Sequence, residues 1–325
     1  MNIPINIKTL AIFGLAKNTG KTTTLNALIQ SLSTRTIALT SIGLDGEDFD
    51  QINHLPKPKI HAQKGTIIAT AKETLPSNQT TYQVLKETTI QTALGKITII
   101  KLLKDTTLLI AGPTLNSDLK NLIQTLTPLC DTILIDGALN RKTFTQLNTI
   151  DALILATGAA VSQTFEDTIR ITKNTIKLFS LPQKDIAVSP NTSVAVFYND
   201  HEIPYPNKHP NTLKTILQTM KPNTTLYIHG AITDTTIDAI IKHTKVPFKL
   251  IAEDPGKYLF APQKLKHLNS LNIHLYVKHA VKLIAITINP WHPQSKHYDP
   301  VHFKTTLQKH TTLPVINVLE EGEHL

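Results

Sequence analysis

One cysteine, Cys130, occurs in 325 residues, so the chain can form no internal disulfide and suits a reducing compartment. Its apolar neighbours point to a core position rather than a reactive thiol. Arginine is almost as scarce: Arg35, Arg141 and Arg170 are the only three among 33 basic residues. Nucleic-acid readers lean on arginine for bidentate contacts, so nucleic acid is disfavoured as a partner. The net charge is +9, yet the lysines are scattered and no run of five or six basic residues occurs. That distribution suits a solvated surface, with a phosphate-rich or acidic partner as the lesser alternative. Long apolar runs are missing too. Leu283–Ile288 falls far short of the ~20 residues of a membrane span, so no membrane is expected. The opening MNIPINIKTLAIFG has neither a basic stretch nor a small-residue cleavage site. It is expected to form a first strand rather than a signal peptide, in a cytoplasmic protein.

What is present is an α/β pattern. Lys8–Phe13 is a short apolar run ending at glycine, which suits a buried parallel strand. Lys21–Ser33 carries Leu25, Leu28, Ile29 and Leu32 at helical spacing, and Thr36–Ser41 is a second strand. Strand, glycine loop, helix and strand open a parallel βαβ unit. Asp45–Lys64, polar and holding Pro56 and Pro58, reads as loop. Gly65–Thr70, Thr81–Thr88, Gly95–Leu103 and Thr106–Ala111 read as β elements, and Leu115–Leu126 as helix. Thr132–Ile135 is a core strand ending in Asp136-Gly137; Ala152–Ala156 is another, followed by a helix over Ser162–Phe179. The texture changes near Leu181–Pro190, and 12 of the 14 histidines lie beyond residue 200. The expected architecture is a P-loop nucleotide-binding domain over 1–181, with a mainly parallel sheet flanked by helices, and a second, partner-binding α/β domain over 182–325. Leu134-Ile-Asp-Gly-Ala and Tyr227-Ile-His-Gly-Ala hint at similar halves.

The stretch Gly14-Leu-Ala-Lys-Asn-Thr-Gly-Lys-Thr-Thr-Thr24 carries the chemistry. Successive backbone N–H groups at a helix N-terminus wrap a phosphate, and glycine lets the backbone come close. A lysine then reaches the β/γ-phosphates and a Ser/Thr hydroxyl binds Mg²⁺. Gly20-Lys21-Thr22 supplies these parts between a predicted strand and a predicted helix. Gly14, Lys17, Asn18, Thr19, Gly20, Lys21, Thr22 and Thr23 are therefore the candidate nucleotide-binding residues. The usual pattern has four residues between its glycines; counted from Gly14 there are five, Leu15 to Thr19. Asp136, ending an apolar strand, is where a Walker B aspartate holds Mg²⁺ directly or through water. Asp45, in Ser41-Ile-Gly-Leu-Asp-Gly-Glu47, is the second carboxylate candidate, with Glu47, Asp48 and Asp50 as alternatives. Lys21, Asp45 and Asp136 are the catalytic candidates, and Thr22, Asp45 and Asp136 the metal candidates. Arg141, five residues after Asp136, reads as a surface arginine, with a phosphate or partner contact as the lesser alternative. An Asn-Lys-x-Asp guanine reader is absent, since Asn207-Lys208-His209-Pro210 lacks the aspartate; ATP is favoured and GTP stays open.

The histidines form no helical zinc pair with an intervening base glutamate. A cobalamin-ligating Asp-x-His-x-x-Gly motif is missing as well, because Asp200 and His201 are adjacent.

The five-residue spacing resembles the loop of dethiobiotin synthetase-like enzymes, within the wider class of MinD and nitrogenase-iron-protein ATPases. Many members carry an extra lysine that reaches the partner subunit's nucleotide; it would fall at Ala16, and Lys17 lies one place later. The loop, Ser41–Glu47, Lys57-Pro58, Gly65–Thr70, Ile135–Arg141, Ala156–Ala159, Thr287–Pro290, Asp299-Pro300 and Leu313–Val318 together resemble a further family. It is the P-loop subunit of the reactivating factor of adenosylcobalamin-dependent lysine 5,6-aminomutase. The resemblance implies a chaperone-like Mg·ATP-dependent ATPase. Its partners would be the aminomutase and a second ATPase subunit, in a homodimer or hetero-oligomer, and Asp45–Asp50 would be the moving segment. The alternatives are a dethiobiotin-synthetase-like ATP-dependent ligase, or a nucleotide-dependent nucleic-acid-binding or partitioning factor.

Overall fold

The structure, a computed structural model, describes residues 3–42, 59–137, 149–189, 192–203, 212–292 and 297–320. In chain order the first elements are β1 (Thr9–Gly14), α1 (Lys21–Ser31), β2 (Ile37–Ser41), β3 (Ile60–Ala62), β4 (Ile67–Ala71) and β5 (Tyr82–Thr92). Then come β6 (Gly95–Leu102), β7 (Thr106–Leu108), α2 (Asn116–Leu126), β8 (Thr132–Asp136), β9 (Ala152–Gly158) and α3 (Phe165–Phe179). A second series follows: β10 (Val194–Tyr198), β11 (His201–Ile203), α4 (Thr212–Thr219), β12 (Thr224–Ile228), β13 (Ile232–Thr233) and α5 (Asp234–His243). It continues through β14 (Phe248–Ala252), β15 (Tyr258–Leu259), α6 (Lys264–Ser270) and β16 (Ile273–Val277). The last elements are β17 (Lys282–Asn289), α7 (Pro300–Gln308) and β18 (Val315–Asn317).

Two compact units result. Of the described residues, the first takes those up to Lys173 and again from Lys282; the second takes Asn174–Val281. In the first, nine strands run in the order β18-β17-β9-β1-β8-β2-β4-β6-β5. Every neighbour from β18 to β4 is parallel, and β6 and β5 add an antiparallel hairpin. The inner strands are almost wholly buried, so they read as continuous apolar runs, ALILATG in β9 being the longest. Helix α1 buries Leu25, Leu28 and Ile29 against this sheet's core, with Leu10, Ile12 and Leu134.

A single boundary near residue 182 would send the last forty or so residues to the second domain. Instead the apolar run of β17 pairs in parallel with β9 along its length, and β18 pairs with β17. Ile60–Ala62, loop by its polar context, is a strand paired antiparallel with Thr106–Leu108. Strand β10 went unforeseen. The second unit is a five-stranded sheet, β11-β10-β12-β14-β16, in which β12, β14 and β16 are parallel. One face packs on Ile216, Ile237, Ile240 and Leu268 from its helices. The other buries Phe197, Tyr227 and Ile251 with Ile186 and Val188. Among the described residues no helix is long and apolar enough to cross a membrane.

Candidate functional site

β1 ends at Gly14, and Leu15–Gly20 carries the chain to α1. A β-carbon on Gly14 would lie 2.7 Å from Lys21 Cδ and 2.7 Å from Thr19 Oγ1, so the lysine stem lies over bare backbone. Lys21 Nζ and Thr19 Oγ1 both donate to the Ala16 carbonyl, at 3.2 and 3.0 Å. Asn18 and Gly20 take left-handed backbone, with φ of 61° and 85°, which these two residue types tolerate. Thr19 is buried, Lys17 and Asn18 are exposed, and Thr22 and Thr23 are half-buried in the first helical turn. The Thr24 N–H donates to the Gly20 carbonyl at 2.9 Å. The N–H groups of Thr22 and Thr23 lie in the first turn, ahead of that bond. Gly20 offers no side-chain cap and the first turn holds no acid, so the positive end of the helix dipole is left to the loop.

The strand ends around the loop form one edge. The chain leaves β8 and passes β1 to enter β9, so the strand order reverses at β1. Outside the carboxyl ends of strands at such a point lies the usual ligand crevice of an open α/β sheet. Asp136 ends β8 in register with Ser41 of β2. Its Oδ1 accepts the Gly137 N–H at 2.8 Å, and its carbonyl accepts the Ile42 N–H at 2.8 Å. Ser41 Oγ accepts the Gly112 N–H at 2.7 Å and donates to the Ile110 carbonyl at 3.2 Å. Asp45, with Glu47, Asp48, Asp50 and Arg141, lies outside the described residues. Among the described residues no group of three or more His, Cys, Asp or Glu side chains could hold a metal.

Two residues from β17 complete the loop's wall and went unassigned from sequence. Asn289 Nδ2 donates to the Asn18 carbonyl at 2.8 Å, and Asn289 Oδ1 accepts the Trp291 N–H at 3.1 Å. Thr287, two residues earlier, sets its hydroxyl 2.9 Å from that of Thr24, and both are buried. Thr24 Oγ1 also donates to the Gly20 carbonyl at 2.9 Å. The polar pair at i and i+2 on an apolar strand is the signal that would have found them, since such residues share one face.

The second unit has its own polar cluster. Ile228, Ala252 and Val277 pair in register at the ends of β12, β14 and β16, so His229, Glu253 and Lys278 emerge side by side. The Glu253 carboxylate accepts the Tyr227 hydroxyl. It also lies 3.4 Å from His229 Nδ1, 3.4 Å from His279 Nε2 and 3.8 Å from Lys278 Nζ. Burial works to raise the Glu253 pKa, but the Tyr227 hydrogen bond and the charges of Lys278, His279 and His229 outweigh it and hold it below the ordinary value. Burial, with the Glu253 hydrogen bond and charge, pushes the Tyr227 phenol far up. Burial also pushes Asp254 up to about 7, against Lys257 and the Gly256 N–H. Asp254 Oδ1 accepts that N–H at 2.8 Å, while its Oδ2 is buried without a hydrogen-bond partner.

No protein-family model, no curated protein and no solved structure matches this chain.

Proposed function

We propose that the first unit binds Mg·ATP through a P-loop at Gly14–Thr23 and works as a nucleotide-driven switch. The observation that carries the reading is the Lys21 stem lying over Gly14, beside a helix start with neither cap nor acid. The cradle has the donors a phosphate requires, so the residues fit the group. Lys21 would hold the β- and γ-phosphates, the loop N–H groups would surround them, and Thr22 with Asp136 would hold Mg²⁺. When bound, ATP supplies the γ-phosphate, the group whose loss resets such switches. Asn289 orients the loop through the Asn18 carbonyl, and Thr287 steadies the first turn of α1 through Thr24.

The resemblance refines this reading to a chaperone-like subunit that reactivates a cobalamin-dependent aminomutase with a second ATPase subunit. Nucleotide state must then change affinity for the closed and open mutase by different amounts, or no population shifts. The ligase alternative is favoured by one observation, an open cavity of about 300 Å³ beside α1 lined by Thr23, Asn26, Gln30 and Glu320. Calorimetry decides the first step: Mg·ATP binds the wild type, and Lys21→Ala abolishes tight binding by removing the cation. Unchanged affinity would sink the assignment. Recovery of an inactivated lysine 5,6-aminomutase that requires ATP and Lys21 supports the reactivating role. Turnover driven by a small molecule in place of the mutase supports the ligase.

A further inference from the structure

The phosphate reading leaves the base of the nucleotide without a place, and the chain beyond β17 offers one. Trp291 is the single tryptophan of the sequence. Its backbone N–H donates to Asn289 Oδ1, and the Asn289 Nδ2 donates to the Asn18 carbonyl, so the Trp291 main chain stands two hydrogen bonds from the exposed crest of the loop. The residue is 57% exposed, a costly position for so large an apolar ring. The ring of His297 backs the indole, with centroids 4.1 Å apart at 48°. His297 is itself held by the His292 N–H, which donates to its Nδ1 at 3.2 Å. A supported aromatic ring with open surface, on a backbone tied to the proposed phosphate loop, matches a ligand that is a polyanion at one end and a flat ring at the other.

We infer that Trp291, backed by His297, is the platform on which the nucleobase stacks. The inference rests on the nucleotide reading above. Stacking uses the π-face common to all bases, so the platform accepts adenine and guanine alike and adds affinity without choosing between them.

The test uses the full chain with Mg²⁺ and three probes: ATP, GTP and inorganic tripolyphosphate. With a single tryptophan, its fluorescence reports on this ring alone. ATP and GTP should change the emission and tripolyphosphate should not. Trp291→Ala should weaken both nucleotides about tenfold, leave tripolyphosphate affinity unchanged, and be largely rescued by Trp291→Phe. The platform is overturned if Trp291→Ala leaves nucleotide affinity intact, or weakens tripolyphosphate by the same factor. Tripolyphosphate binding that needs Lys21, with no gain from a base, keeps the phosphate reading and removes the platform. No binding of any probe to the wild type removes both. A protein partner seated on the indole would instead appear as an emission change on adding the mutase without nucleotide, with Trp291→Ala neutral toward ATP.

Discussion

Gly14 has no room for a β-carbon, but the atoms in the way belong to the movable Lys21 stem and the Thr19 hydroxyl. Gly14→Ala should therefore spare the fold and displace the lysine. On the proposed nucleotide reading, calorimetry should show ATP binding weaker by at least about tenfold, with little change in the thermal midpoint. Cys130 is buried, and burial, opposed by Lys8, pushes its thiol up to about 11. A thiol reagent should leave it untouched in the folded chain and modify it only in denaturant. Asp254 keeps its proton in the folded chain up to about pH 7 but releases it near 3.8 when unfolded. Between those values the native state binds more protons, so this group lowers stability as pH rises from about 4 to about 7. Asp254→Asn should flatten that slope and be the more stable protein at pH 8, by up to about 4 kcal/mol. Urea titrations at pH 5 and pH 8 giving wild type and variant the same difference would refute this. Glu253 works in the opposite sense and lower window: held below 4.5, it contributes stability above that value and loses it as pH falls further.

At the scale of elements, β17 does two jobs, pairing with β9 and steadying the loop. Thr287→Val removes one hydroxyl of the buried pair, while Thr24 keeps its bond to the Gly20 carbonyl. The expected loss is about 1 kcal/mol by urea denaturation, the net worth of one hydrogen bond; a loss of 3 or more would mean that Thr24 is left unsatisfied. How much of this was legible follows from distance along the chain. β1, the loop and α1 are contiguous, so period and glycine placement expose them directly. β8, ending in Asp136, is a bare apolar run and reads as plainly. The bond from Asn289 to Asn18 joins residues 271 apart, and no local pattern encodes it. The cluster around Glu253 was hidden for the same reason, since His229, Glu253 and Lys278 sit on three strands that only pairing aligns.

At the scale of the molecule, the described residues of the first unit come from two stretches of chain, one before and one after Asn174–Val281. β9 is buried at every position, and β17 covers the edge that it would otherwise present. A fragment of residues 1–181 should therefore fail to give a soluble, cooperatively unfolding domain, because it exposes a long apolar edge strand. A sharp thermal transition from that fragment would restore a boundary near 182. The interruption also sets an order of events in synthesis. The second unit is complete once Val281 has emerged from the ribosome, whereas the sheet behind the loop waits for β17 and β18. At translation rates of about 5–20 residues per second, the loop residues, made first, stay without their wall for roughly 15–60 s. During that time β9 has no neighbour on the side that β17 later takes, an open apolar edge of the kind that pairs with other chains.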